Sequence, residues 1–305
     1  MVSLAQRIVS PTAAGRLDLT RVPPHTCVRN HRVEKAPIAP NSHMSEFRDK
    51  VVAITGASGG IGQELCRYFG AQGAVIAAID RMASVAEFAD RLRLDGITVE
   101  SMTVDIVDAP AVRFAFDTLS DRLGAIDILI NNAGVSRNPS LERTTPDGFG
   151  EDVEANLNGA YHCTYAVLPG MKARRSGAIV NIGSVNGLAA LGDAAYSAGK
   201  AGLISLTKAL AMEFGRYNIR ANIVCPGTVR TPLWNERVSR NPEVLTQLTR
   251  WYPLRRVVEP IEVVRAVAFL ASEAASAITG VVLPVDCGLT AGNLVMAREL
   301  TLEDL

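Results

Sequence analysis

Residues Lys50-Val-Val-Ala-Ile-Thr-Gly56-Ala-Ser-Gly-Gly60-Ile-Gly62 constrain this chain more than any other stretch, because they run an apolar strand into a glycine-rich turn. The pattern that follows, Gln63-Glu-Leu-Cys-Arg-Tyr-Phe69, is helical. Glycines let a backbone approach a phosphate closely, and a helix N-terminus offers free N–H groups and a positive dipole end to a pyrophosphate. The spacing is Gly-x-x-x-Gly-x-Gly, not Gly-x-Gly-x-x-Gly. Such a turn can be no more than a tight loop, but its place between a buried strand and a helix favours dinucleotide binding. A second apolar strand, Ala74-Val-Ile-Ala-Ala-Ile79, ends at Asp80, where a carboxylate can accept both ribose hydroxyls of an adenosine half. Arg81 beside it can pair with a 2′-phosphate. Asp80 is expected to prevail, since the turn adds no second cation, so NAD is expected rather than NADP.

Further along stands Tyr196-Ser-Ala-Gly-Lys200. At four-residue spacing on a helix, phenol and ammonium lie on one face. A free tyrosine titrates near pH ~10 and is a poor base at neutrality, but a neighbouring cation stabilises its phenolate. A phenol tuned in this way can exchange a proton with an alcohol oxygen. Ser184 follows the apolar run Ala178-Ile-Val-Asn-Ile182 and would stand at the end of a buried strand, able to hydrogen-bond the same oxygen. Alone, the Tyr-x-x-x-Lys spacing also fits an ordinary amphipathic helix.

Taken together, Thr55-Gly-Ala-Ser-Gly-Gly-Ile-Gly62, Asp105, Asn131-Asn-Ala-Gly134, Asn156, Ser184, Tyr196/Lys200 and Pro226-Gly-Thr-Val-Arg-Thr231 make residues 46–293 resemble the short-chain dehydrogenase/reductase family. The resemblance implies a tetrad. Tyr196 is its acid/base, Lys200 lowers the phenol's pKa and holds the nicotinamide ribose, Ser184 orients the substrate oxygen, and Asn156 anchors a proton-relay water. It also implies a cofactor cradle of Gly56, Ser58, Gly60, Ile61 and Gly62, with Asp105 and the Ile106 backbone at the adenine. Asn132, Ala133, Gly134, Pro226 and Gly227 would lie along the cofactor, with Val229 and Thr231 on the carboxamide. Three departures stand out: Gly199 where Ser or Ala is usual, Cys287 where a glycine is commoner, and a Ser184 to Tyr196 interval one residue short. The last bears on substrate shape more than on chemistry.

The 305 residues and 48% hydrophobic content suit one large core. Apolar runs near Val51, Val75, Thr98, Ile126, Ala178, Ile219 and Val281, separated by helix-length segments, predict a doubly wound α/β fold, mostly parallel, with helices on both faces. Nearly every candidate residue follows the carboxyl end of a strand, the edge along which open parallel sheets bind ligands. Thirty-one basic residues balance thirty-one acidic ones, so global charge directs the chain to neither nucleic acid nor an anionic membrane. No apolar run is long enough to span a bilayer. Cys27, Cys66, Cys163, Cys225 and Cys287 show no paired spacing, which fits a reducing, cytoplasmic setting. The four histidines give a metal site little material, and His162 reads as a packed helix residue. Asn131 and Asn132 have two readings, satisfaction of loop backbone and direct cofactor contact. Asn158-Gly159 reads as close helix packing.

Residues 1–43 differ in character. Pro11, Pro23, Pro24, Pro37 and Pro40 exclude helix, and arginines outnumber acids. The segment reads as a disordered leader or as upstream sequence before a true start at Met44; an organellar transit peptide fits less well. Residues 294–305 read as a tail without a motif. Substrate choice is expected in residues 135–150 and 232–258. The second segment carries Trp234, Arg237, Arg250, Trp251, Tyr252, Arg255 and Arg256, which suit carboxylated or polyhydroxylated compounds or, on another reading, solvate a mobile helix. Asn186 and Asp193 add polar groups near the reactive centre. The expected activity is interconversion of a secondary alcohol and a ketone on a sugar, polyol or hydroxy acid. A 3-oxoacyl-thioester reductase using NADPH is the nearest rival, and a nucleotide-sensing protein without turnover a remote one. The family resemblance implies a homotetramer or dimer.

Overall fold

The computed structural model describes residues 46–137 and 140–304. The leader, residues 1–43, and the expected start at Met44 lie outside the described residues. Strands β1 (Val51–Thr55), β2 (Val75–Asp80), β3 (Val99–Thr103), β4 (Ile128–Asn131), β5 (Gly177–Ile182), β6 (Ile219–Pro226) and β7 (Val282–Val285) form one sheet in the order β3-β2-β1-β4-β5-β6-β7. Every pairing in it is parallel. The order reverses at β1, which has β2 on one side and β4 on the other. Chain direction diverges there and leaves a crevice at the carboxyl edge.

The strands read as near-continuous apolar runs because helices cover both faces. Helices α1 (Gly60–Ala71), α2 (Ser84–Leu94) and α9 (Pro260–Ala271) bury Leu65, Phe69, Phe88 and Val263 against one face. Helices α3 (Ala109–Leu123), α5 (Gly159–Arg174) and α6 (Ala194–Phe214) bury Phe116, Cys163, Met171 and Leu210 against the other. Local sequence sets the helix starts. Asp108 accepts from Ala111 N at α3, Thr145 accepts from Gly148 N at α4 (Pro146–Val153), and Glu259 with Glu262 forms a capping box at α9. A layer of polar side chains crosses the apolar middle: Asn131 Nδ2 donates to Asn181 Oδ1 at 2.8 Å and to Thr164 Oγ1 at 3.1 Å, and Asn181 Nδ2 donates to Thr207 Oγ1 at 2.8 Å. It ties β4 and β5 to α5 and α6.

Between β6 and α9 the chain makes two short helices, α7 (Asn235–Arg240) and α8 (Val244–Leu248). The residues read as a tail form a helix, α10 (Leu294–Thr301), capped by Asn293 and lying against the Thr249–Trp251 turn. No helix among the described residues is long and apolar enough to cross a membrane. Cys66, Cys163 and Cys225 are free and buried, and burial pushes the Cys66 thiol up to about 12.

Candidate active site

The carboxyl ends of β1, β2, β4, β5 and β6 bring the expected residues to one edge. At β1, Gly56 has φ +65°, and a Cβ on Gly62 would stand 2.0 Å from Gly56 O, so the turn closes only without side chains at these points. Gly60 lies against Thr231 from the β6 loop, and Ile61 packs on the core below. Asp80 ends β2 almost wholly buried; its Oδ2 accepts from Ser58 N at 2.9 Å and its Oδ1 from Met82 N at 2.9 Å. Arg81 is exposed. Past β3, Asp105 Oδ1 accepts from Val107 N and Ile106 is buried.

Asn132 Nδ2 donates to Thr55 O and Gly56 O, both at 3.0 Å, while Thr55 Oγ1 accepts from the backbone N–H groups of Asn132 and Ala133. This Asn132 satisfies loop backbone, the first of its two readings. Asn131 is buried in the polar layer below the edge.

A dinucleotide fits these residues on three counts. No side chain caps the N-terminus of α1, and Ser58 Oγ is buried with no partner among the described residues. A Cβ on exposed Gly134 would meet Asn156 Oδ1 at 2.7 Å and Lys200 Nζ at 3.1 Å, so that glycine keeps open the space between them. Uncapped backbone donors, a carboxylate at the end of β2 and the open trough beside Gly134 are features that a dinucleotide site needs.

Tyr196 and Lys200 share one face of α6, with Lys200 Nζ 5.6 Å from the phenol ring centre. The ammonium is buried and donates to Ile182 O at 2.8 Å. Burial lowers its pKa to about 8. Burial also raises the Tyr196 phenol, against the expectation of a phenol brought down by lysine; the Ser184 hydroxyl bonded to it pulls it back, and Asp193 and Cys225 push it further up. Ser184 Oγ accepts from Asn186 N at 3.1 Å. Asn156 sits in a π-helical turn, Glu154–Asn158, between α4 and α5. Its Nδ2 donates to Val135 O at 2.6 Å and Asp152 O at 2.8 Å, and its Oδ1 accepts from Val135 N at 3.3 Å. A Cβ on Gly199 would stand 3.0 Å from Asn156 Cβ, so this departure from the family pattern lets α6 approach the asparagine.

On the substrate side, Asn186 Nδ2 is engaged with Gly192 O at 3.1 Å and Ser197 Oγ at 3.3 Å, which braces the loop ahead of α6. Trp234 and Trp251, half-buried, are each overlaid by a guanidinium, Arg237 at 4.8 Å and Arg250 at 4.9 Å. Two residues of the segment expected at the pocket wall are held by partners within the chain. Tyr252 is 2% exposed and its hydroxyl accepts from Thr228 N at 3.0 Å, bracing the Pro226-Gly-Thr-Val-Arg-Thr231 loop from behind. Arg256 is engaged by both carboxylate oxygens of Glu262, at 2.6 and 2.7 Å. The bridge Val229↔Val258 holds the same loop from its other side, with Gly227 packed on Asp286. Cys287, φ +52°, occupies a left-handed position, which explains why glycine is commoner there.

Sequence reasoning missed Asp152 and Cys225. Asp152 is fully buried one turn before Asn156, and its Oδ2 accepts from Arg137 N at 3.3 Å. Its i−4 spacing from Asn156 was the available signal. Cys225 lies beside Lys200 at the end of β6, and burial pushes its thiol up to about 11, keeping it neutral. Among the described residues no group of three or more His, Cys, Asp or Glu could hold a metal ion.

A family model described as Enoyl-(Acyl carrier protein) reductase matches residues 56–290. The Uncharacterized oxidoreductase C922.06 of Schizosaccharomyces pombe is 41% identical over 256 residues, covering 84% of this chain and 96% of its own. A crystal structure of a short chain dehydrogenase/reductase family oxidoreductase from Burkholderia thailandensis is 50% identical with a TM-score of 0.79, over 84% of this chain and 98% of that one. A structure of NAD+-bound xylitol dehydrogenase is 30% identical with a TM-score of 0.76, over 79% of this chain and 99% of its own. With its parallel sheet, its glycine turn and its Ser184, Tyr196 and Lys200 gathered at one strand edge, the chain belongs to the short-chain dehydrogenase/reductase family of oxidoreductases.

Proposed function

We propose that this oxidoreductase uses NAD to interconvert a secondary alcohol and a ketone on a polar small molecule, a sugar, polyol or hydroxy acid. One observation carries the reading: the Tyr196 phenol, hydrogen-bonded to Ser184 and one helical turn from buried Lys200, stands at the same sheet edge as the glycine turn and Asp80. The residues proposed to hold the dinucleotide are the turn from Gly56 to Gly62, Asp80, Asp105, Ile106, residues 132–134 and residues 226–231. When bound, its nicotinamide ring accepts or gives a hydride.

The chain's own residues manage the proton and the geometry. Ser184 Oγ holds the substrate oxygen beside the phenol. In oxidation Tyr196 takes the hydroxyl proton from that oxygen, and in reduction it returns one. Lys200, anchored on Ile182 O, places a cation beside the phenol as it loses its proton. Asn156 fixes residues 134–135, and so the wall beside Lys200. Trp234 and Trp251, on the chain between β6 and α9, would screen the site from water.

Polar substrates are supported by the guanidinium groups stacked on both tryptophans and by the likeness to a xylitol dehydrogenase. The second reading, reduction of a 3-oxoacyl thioester, draws on the 37% identity over 247 residues to the 3-oxoacyl-[acyl-carrier-protein] reductase FabG of Pseudomonas aeruginosa. Asp80 disfavours the NADPH that this rival would use. Spectrophotometric turnover with both cofactors on a panel of polyols, sugar acids, simple alcohols and acetoacetyl thioesters separates the two; best turnover of the thioester with NADPH would replace the first reading by the second. We also propose a homo-oligomer, because Phe114 on α3 and Tyr161 and Tyr165 on α5 leave aromatic surface exposed. Sedimentation velocity showing a monomer at micromolar concentration would remove that part.

A further inference from the structure

His162 is the one histidine among the described residues, and the proton chemistry above does not use it. Its Nδ1 lies 2.9 Å from Ile106 O. A carbonyl oxygen only accepts, so Nδ1 is the donor and carries the proton in the neutral ring. Gly159, one turn earlier on the same face of α5, meets the other half of the same residue: a Cβ there would stand 2.5 Å from Ile106 Cδ1 and 2.6 Å from its Cγ1. The helix thus fixes both the main chain and the side chain of Ile106. The segment is held on its other sides as well. Val104 N donates to Asp80 O at 2.8 Å, and Asp108 N donates to Asp105 O at 3.1 Å, closing a tight turn directly after β3. Residues 104–106 therefore form a fixed wall beside Asp80, at the far end of the trough from Tyr196.

We propose that His162 is a positioning residue for the adenine end of the bound dinucleotide, acting through Ile106. This rests on the dinucleotide reading above and adds to it a residue that touches neither substrate nor cofactor. With the imidazole removed, Ile106 O loses its donor and the wall loses its tie to α5. With a methyl group added at Gly159, the same wall is displaced, because Cγ1 is too near the Ile106 backbone to swing aside freely.

The test is calorimetric titration of the full chain and its variants with NAD, with 5′-AMP and with nicotinamide mononucleotide, which share one half of the cofactor each. His162→Leu is expected to weaken AMP and NAD by about 3- to 10-fold, the range of one lost hydrogen bond, with nicotinamide mononucleotide unchanged. His162→Asn, whose amide nitrogen stands where Nδ1 does, is expected to recover AMP affinity to within about twofold of wild type. Gly159→Ala, which keeps the histidine, is expected to repeat the selective loss and carries the test alone if the leucine variant does not fold. Equal losses for AMP and nicotinamide mononucleotide, or no loss for either, would overturn the inference while leaving the dinucleotide reading intact. A wild-type chain that binds none of the three ligands would overturn both.

Discussion

The backbone N–H of Ser58 donates to Asp80 Oδ2 at 2.9 Å, so the acid that ends β2 is joined directly to the glycine turn that ends β1. Its second oxygen accepts from Met82 N at 2.9 Å. Two backbone donors hold the buried carboxylate in one orientation at the glycine turn. A 2′-phosphate brought there would meet that charge, whereas free ribose hydroxyls would find acceptors. Exposed Arg81 has no comparable anchoring among the described residues. NAD is therefore expected to exceed NADP in kcat/KM by at least about tenfold, the effect of roughly 1.4 kcal/mol. Asp80→Ser, which removes the charge and keeps an oxygen, should narrow that ratio by a similar factor. Equal efficiency of the two cofactors in the wild type would refute the assignment.

Tyr196→Phe leaves the ring and its packing over Lys200 and takes away only the titratable oxygen. Turnover in both directions is expected to fall by about 10²- to 10⁴-fold, the usual contribution of a positioned acid or base. NAD affinity, read by fluorescence titration, should stay within about twofold. Because burial raises the phenol, oxidation by the wild type should also quicken as pH climbs above neutrality, where more phenolate is available. A phenylalanine variant with near-normal turnover would show that another group moves the proton.

Most of this site was legible because it depends on local order along the chain. Glycine spacing, an acid at a strand end and the four-residue step from Tyr196 to Lys200 all survive as sequence patterns. The less legible parts depend on contacts between distant segments. Tyr252 lies in a stretch whose aromatic and basic composition suggests a pocket wall, yet it points inward to Thr228, a contact made only once β6 and the chain beyond it have folded together. Arg256, still exposed, is engaged by Glu262, six residues on, across the start of α9. Asp152 had only a weak signal, since an acid in a polar helical run normally faces water. The helix over residues 294–301 is short, and its capping asparagine was its main mark. The rise in the Tyr196 pKa was illegible for a different reason: spacing shows which charge is near, but not how much water is lost.

Lys200 provides a test of burial that is independent of turnover. Its pKa in the folded chain is about 8, against an ordinary 10.5, so between those values the unfolded chain holds the proton and the folded chain has released it. Stability rises with pH wherever the unfolded state binds more protons. The destabilising cost of the buried ammonium is therefore fully present below about pH 8 and disappears as pH rises to 10.5. Relative to Lys200→Met, the wild type should gain stability across that window, by on the order of 3 kcal/mol at most. Made in a Cys225→Ala background, which removes the thiol coupled to Lys200, the two urea-unfolding curves can be subtracted to cancel the remaining thiols common to both chains. A difference independent of pH would mean that the ammonium is solvated or paired.

Substrate preference follows from the groups that surround the open side of the site. Arg237 and Arg250 lie over Trp234 and Trp251, and Ser184, Asn186 and Ser197 form a polar chain beside the phenol. An aliphatic alcohol would strip water from such groups without replacing its hydrogen bonds, at about 1 to 3 kcal/mol for each one left unpaired. Polyols, sugars and hydroxy acids would supply partners. We therefore expect kcat/KM for the best polyhydroxylated or carboxylated substrate to exceed that for a secondary alcohol of similar size by about tenfold or more. Trp251→Ala should reduce kcat/KM chiefly for the polar substrate, since it removes the plane on which Arg250 is held and opens the site to water. If long-chain aliphatic or steroid alcohols react best, or if the alanine variant affects every substrate equally, the guanidinium groups face solvent and take no part in recognition.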